Sequence, residues 1–168
     1  MQRIDDWHDF FSTAAEAAAA LAGLIFVGLS INLQMIMSNP RYGLSGRTLE
    51  VLVMLVAVLT MAALLLMPGQ GTVVVGLEVL VVGIANWAAI LAIQLLQLRN
   101  WNSLEATLRT YFVGRIVMGQ VATLPFVAAG IAVLSWGKSG LYLLAAGVLL
   151  TILVTGANAR ILLVEINR

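Results

Sequence analysis

The sequence predicts an all-α fold, a polytopic bundle of about five transmembrane helices that forms a single domain. Hydrophobic residues make up 61% of the 168-residue chain and charged residues 10%, whereas soluble domains average about 45–50% and about 25%. A chain this short cannot bury so much apolar surface against itself in water. Its apolar residues also fall into runs near the length of about 20 residues that a spanning helix needs.

Turn residues separate five apolar runs, and these runs set the predicted spans. Pro40 and Gly43 follow the first run, Pro68–Gly71 forms a tight turn after the second, and Gly137–Gly140 joins the last two. Proline and glycine favour turns over helix continuation. The single transmembrane domain therefore covers residues 1–168, with spans at about 11–37, 49–67, 73–98, 112–136 and 141–160.

The distribution of basic residues predicts the orientation. With five spans, Arg3 and Lys138 lie on one side and seven arginines on the other, namely Arg41, Arg47, Arg99, Arg109, Arg115, Arg160 and Arg168. Cytoplasmic loops carry the excess of Lys and Arg, so the N-terminus is expected outside and the C-terminus in the cytoplasm. The acidic start, Met1–Asp9, lacks the positive region of a signal peptide, so the first helix is expected to stay.

One face of the first helix carries an acidic-to-small pattern that we call the acidic stripe. Its residues are three or four positions apart and so share a face: Asp5, Asp9, Ser12, Glu16, Ala20, Gly23, Val27, Ser30 and Gln34. Glu16 lies within the predicted span, and a charge inside a membrane marks a functional site by default because burying it is costly.

Two interpretations of the acidic stripe stay open. In the first, small residues such as Gly23 let another helix pack closely, and polar side chains bond across the contact. In the second, the acidic stripe lines a candidate pathway in a ring of subunits, because acidic rings attract cations and apolar constrictions gate by dewetting. The acids would then form the outer funnel, Val27 the gate, and Ser30 and Gln34 the inner exit.

Three residues within the later predicted spans are unusual for a membrane helix. Glu78 is the candidate second acid, about one turn into the third span. It is expected either to hold a cation together with Glu16 or, more simply, to be hydrated or paired with Lys138 by snorkelling. Trp87 lies mid-span, where packing against a neighbouring helix is the expected role and its indole N–H needs a partner. Pro125 removes a backbone hydrogen bond within the fourth span.

Several classes of function lack their residues. The chain has no cysteine and one histidine, His8, near its start, which leaves no thiol chemistry and no cluster of histidine ligands. It contains no phosphate-binding glycine loop, metalloprotease helix or hydrolase triad. Net charge is +1 without a basic, aromatic-rich cluster. We therefore expect no enzyme activity, cofactor, metal site or nucleic-acid partner.

A family resemblance adds to this reading. The runs Trp7–Phe11 and Ala18–Asn32, together with the later Leu65–Gln70, resemble a group of small bacterial five-helix membrane proteins often labelled modulator of FtsH protease. The resemblance covers mainly residues 7–70. It implies a multi-pass protein of the bacterial inner membrane and brings no catalytic or binding residues.

The sequence thus predicts an oligomeric membrane protein with two possible functions. The first is a cation channel or pore-like transporter, a homo-oligomer with the first helix facing the pathway. The alternative is a non-transporting accessory or regulatory subunit of a larger membrane complex, such as a protease or respiratory assembly. Both place the chain in the lipid bilayer, and neither identifies an ion or a partner.

Overall fold

The computed structural model describes residues 7–31, 44–98 and 106–165, and they fold into five α-helices. These are α1 (His8–Ile31), α2 (Leu44–Leu65), α3 (Thr72–Leu98), α4 (Ala106–Trp136) and α5 (Leu141–Glu165), with a 3-10 turn at Gly137–Gly140 between the last two. The described residues include no strand. The predicted all-α class is confirmed.

Four helical stretches among the described residues are long and apolar enough to cross a membrane. They are His8–Ile31, Gly46–Leu65, Thr72–Leu98 and Phe112–Asn158. The fourth stretch contains most of α4 and α5 with the 3-10 turn between them. The apolar composition therefore suits a membrane protein, as the hydropathy of the sequence predicted.

The helices begin earlier than hydropathy alone suggested. The prediction began the second span at residue 49 and the fourth at 112, whereas α2 begins at Leu44 and α4 at Ala106. Polar residues lower the hydropathy there without breaking a helix, since no proline intervenes. The first span was predicted to end at 37 and the third to be followed by a polar loop, but residues 32–43 and 99–105 lie outside the described part.

Glycines bring α3 and α4 into close antiparallel contact. A Cβ added at Gly130 would lie 2.6 Å from the Leu80 Cα atom, and one added at Gly83 would lie 3.0 Å from the Phe126 carbonyl carbon. Such approaches require residues without a side chain, as is common between membrane helices. This part of the interface is therefore in backbone-to-backbone contact.

The helices α4 and α5 form an antiparallel hairpin. Gly137 adopts a φ of +64°, which L-residues with side chains rarely take. Further along, the Thr151 hydroxyl donates to the Ala122 carbonyl oxygen at 3.0 Å, close to Pro125, whose missing N–H disturbs the helical bonding of the preceding turn. The α5 side chain thus binds the carbonyl next to that of Val121, which is the one that Pro125 leaves without its helical donor.

The two ends of the bundle differ in polarity. We call the end with the turns at 66–71 and 137–140 the turn end, and the opposite end, where α3 finishes, the Gln97 end. The turn-end half of the interior is mainly apolar, with fully buried Val75, Leu141 and Leu144, and its polar side chains include the part-buried Gln70 and Glu78. The Trp7 ring packs edge-on against Tyr142 at 4.8 Å, so α1 begins at the turn end.

Candidate functional site

The acidic stripe faces away from its own bundle. The residues that α1 buries are Phe11, Ala14, Ala18 and Ile25. At about 100° per residue, this buried face lies nearly opposite the acidic stripe. Accordingly Asp9, Glu16, Ala20, Gly23, Val27 and Ser30 are exposed and Ser12 is half-buried. Asp5 and Gln34 lie outside the described residues.

This placement bears on the two interpretations of the acidic stripe. Within the described chain, the packing face of α1 is the Phe11–Ile25 face, so the acidic stripe does not serve to pack α1 on its own subunit. A Cβ added at Gly23 would meet no atom of the described residues within 4 Å. No described neighbour therefore requires glycine there.

Glu78 is held from the turn before its own helix. The Gln70 amide nitrogen donates to both carboxylate oxygens of Glu78, at 2.9 and 3.1 Å. Helix α3 packs mainly against α2 and α4, whereas α1 packs mainly against α2 and α5. Glu16 and Glu78 therefore lie on helices that share no major interface.

A buried ion pair, which the sequence analysis did not identify, joins α2 to α4 near the Gln97 end. Arg115 Nε donates to Glu50 Oε2 at 2.8 Å. Arg115 Nη2 lies 2.8 Å from Glu50 Oε1, close enough for ion pairing but not aligned for a second hydrogen bond. The Glu50 side chain is 5% exposed and the Arg115 side chain is 10% exposed. Charges removed from water to this degree need each other.

The same end holds hydrogen-bonded side chains between α3 and α4. Trp87 Nε1 donates to the Gln120 amide oxygen at 2.8 Å, and Gln120 Nε2 donates to the Gln94 amide oxygen at 2.9 Å. Trp87, half-buried, thus packs against α4 and finds its partner there. In lipid such bonds matter because no water replaces them.

Some amides beside this network have no protein partner. We call Asn86, Gln94, Gln97 and Gln120 the amide cluster. Both polar side-chain atoms of Asn86 and of Gln97, and the Gln94 nitrogen, are buried without a hydrogen bond to any residue that the structure describes. An unpaired buried polar group costs about 1–3 kcal/mol, so the Asn86, Gln94 and Gln97 amides are unfavourable here unless a further molecule pairs with them.

Glycines on neighbouring helices make room for two of these amides. A Cβ at Gly119 would lie 2.6 Å from Gln94 Nε2, and a Cβ at Gly46 would overlap the Gln97 amide. The glutamines are thus seated in gaps on α4 and α2. No pattern in the sequence predicts that Gly46 and Gly119 lie opposite these glutamines.

The network makes a specific prediction for Gln120. Replacement by leucine removes two hydrogen bonds and leaves the Trp87 N–H and the Gln94 oxygen unpaired, so we expect a loss of about 1–2 kcal/mol in unfolding free energy. Thermal unfolding in mild detergent measures it. Val117→Leu, at an exposed site on the same helix, is the control. Equal stability of the two variants would show that the network contributes little.

A signal for the Glu50–Arg115 pair was present in the sequence. The predicted spans beginning at 49 and 112 each contain one charge near the start, of opposite sign, and antiparallel alternation places both starts at the same membrane face. The sequence alone did not show that α2 and α4 are neighbours.

The described residues bring no three His, Asp or Glu side chains together as a metal centre would need.

Comparison with known proteins adds no identity. No family model matches the chain, and neither the curated proteins nor the solved structures include a significant match. The resemblance to the proteins labelled modulator of FtsH protease therefore stays a prediction. Fold and composition define the class: the described part of the chain is helical and contains four stretches that are long and apolar enough to cross a membrane.

Proposed function

We propose that the chain is a multi-pass protein of the bacterial inner membrane that crosses it five times, with the N-terminus outside and the C-terminus in the cytoplasm. The hairpin of α4 and α5 supports two crossings in the fourth apolar stretch, since each arm is about as long as a bilayer requires. The excess of arginine on one side supports the orientation. The turn end is then the outer end.

The proposed function is cation conduction by a ring of copies, with the acidic stripe of α1 toward the axis. The observation that carries it is the direction of the acidic stripe, which points away from the Phe11–Ile25 face that packs on the subunit. An exposed Glu16 inside a span would otherwise meet lipid, which is unfavourable for a carboxylate. Water in an axial pathway would solvate it.

The order of residues along the acidic stripe supports a pathway with a direction. Asp9 and Glu16 lie toward the outer end, where carboxylates attract cations, and the exposed Val27 lies deeper, where an apolar ring restricts water. Ser30 donates to its own helix, to the Phe26 carbonyl at 2.8 Å, and leaves its oxygen able to accept.

The accessory-subunit alternative is supported by the apolar residues beside the acidic stripe. Leu24, Phe26 and Ile31 are 68, 63 and 76% exposed, and such a surface suits lipid or a helix of a larger complex. A partner that covers α1 would also remove Glu16 from lipid. The two proposals differ in what is extracted with the protein in mild detergent: further copies of the same chain in the first, and a different membrane protein in the second.

Cation flux through liposomes tests the first proposal. Glu16→Gln is expected to lower flux roughly tenfold, because it removes the charge that concentrates cations at the mouth. Glu78→Gln is the matched control, an acid on a helix without a major α1 interface, and is expected to leave flux unchanged. Absence of flux with wild-type protein would contradict conduction, and equal flux with Glu16→Gln would contradict a pathway along the acidic stripe.

Native mass in mild detergent tests the assembly itself. A closed ring of about four to six copies fits an axial pathway. A monomer or dimer that co-purifies with a stoichiometric membrane partner would contradict the ring and favour the accessory subunit.

A further inference from the structure

The unpaired amides lie between the middle of α3 and the Gln97 end of that helix. Asn86 is near the middle of α3, about 20 Å from either end of the helix, and is 5% exposed. Gln94, 2% exposed, and Gln97 follow toward the end of the helix. All three lie on the buried side of α3, within 11 residues of each other along the chain.

The protein supplies too few partners for these groups. Within residues 7–31, 44–98 and 106–165, Gln94 accepts from Gln120 but its own nitrogen is unpaired, and Asn86 and Gln97 have no hydrogen bond at either amide atom. Lipid offers no hydrogen bonds, so a membrane protein satisfies such groups internally or with water. Water is the molecule that both donates and accepts within a narrow polar site, typically through two to four bonds.

The packing differs between the two halves of α3 in a way that decides where water can enter. In the turn-end half, Gly83 and Gly130 hold α3 and α4 in backbone contact, and the neighbouring interior is apolar. In the Gln97-end half, long amide side chains stand between the helices, seated at Gly46 and Gly119. Side chains of this kind can swing aside, whereas a backbone contact cannot.

We propose that the Gln97-end half of each subunit is an internal hydration site, in which water enters between α2, α3 and α4 and reaches Asn86 at mid-membrane. Small displacements of the Gln94 and Gln97 side chains admit it, and the water then pairs with the amide atoms that the protein leaves without partners. The apolar turn-end half stops it. The site involves no residue of α1 and does not depend on the proposed pathway.

The buried ion pair fits this placement. Glu50 lies about two turns from the start of α2, and Arg115 bonds to it from α4. The pair, on α2 and α4, and the amide cluster, on α3 and α4, therefore share α4 and lie toward the same end of the bundle. A paired Glu–Arg couple adds no net charge to the site, which suits a neutral guest such as water.

The natural absence of cysteine allows a test without background. Thiols react with N-ethylmaleimide as thiolates, which need water, and a thiol buried in an apolar site is inert. Single-cysteine variants N86C and Q94C, in native membranes, are expected to react at least about tenfold faster than V79C. Val79 lies on the same helix in the apolar half and is 1% exposed, so V79C is the matched control.

The outcomes separate cleanly. Fast reaction at both N86C and Q94C supports water as far as Asn86. Fast reaction at Q94C with N86C as slow as V79C overturns that depth, and slow reaction at both overturns the hydration site. If gel filtration shows that N86C does not fold, Q94C still tests the site, because it leaves Asn86 in place. A slow Q94C then overturns the proposal, and a fast Q94C supports the hydration site as far as Gln94.

Discussion

Replacing Glu50 with alanine is expected to destabilise the bundle by about 3–5 kcal/mol. The reason is the partner left behind, since Arg115, 10% exposed, then keeps its charge in a buried site without a counter-ion. The ring of Phe112, whose centroid lies 5.7 Å from the guanidinium carbon, offers a weaker attraction for that charge. Chemical or thermal unfolding in mild detergent measures the loss.

Two variants make that result specific. Replacing both partners with apolar residues, Glu50→Leu with Arg115→Met, removes the uncompensated charge, and we expect it to recover most of the lost stability. Glu78→Ala removes an acid that is bonded to Gln70 in the less buried turn region. We expect it to lower the unfolding free energy far less than Glu50→Ala does. A single Glu50→Ala variant as stable as the wild type would show that the pair is not a structural contact.

Gly130→Ala is expected to produce the second large effect, a loss of about 1–3 kcal/mol or more. The added Cβ would lie 2.6–2.8 Å from the backbone nitrogen, Cα and Cβ of Leu80. Relief requires the two helices to separate, since backbone atoms cannot rotate away. The separation would also loosen contacts elsewhere along α3 and α4.

Gly114 provides the matched control for this prediction. It lies on the same helix, and a Cβ there would meet no atom of the described part of the chain within 4 Å. Gly114→Ala is expected to be neutral or slightly stabilising, because alanine favours helix by up to about 1 kcal/mol over glycine. If both alanine variants unfold at the same temperature, backbone contact between α3 and α4 does not limit stability.

The sequence predicts the all-α class and the apolar spans because both follow from local properties of the chain. The length of an apolar run sets a span, and residues such as Pro68 and Gly137 set the turns. For the third helix the predicted start at residue 73 agrees with the observed start at Thr72. Hydropathy locates a helix end less accurately where polar residues continue the helix.

The candidate sites depend on which helices are neighbours, and that information is not local. Periodicity groups the acidic stripe on one face of α1. Only the burial of Phe11 and Ala18, on the opposite face, shows that the acidic stripe points away from the bundle. Glu50 and Arg115 each look like an ordinary charge near a helix end. Their pairing requires α2 beside α4, across an intervening helix in the chain.

The separation of Glu50 and Arg115 along the chain also has a consequence for biosynthesis. The two residues are 65 positions apart, and at about 5–20 residues per second a ribosome needs roughly 3–13 s to make that length. During this interval Glu50 has no Arg115 to pair with, so newly made α2 carries a lone carboxylate. Its place near the start of α2 keeps it within about 9 Å of the helix end, where headgroups and water can solvate it until α4 arrives.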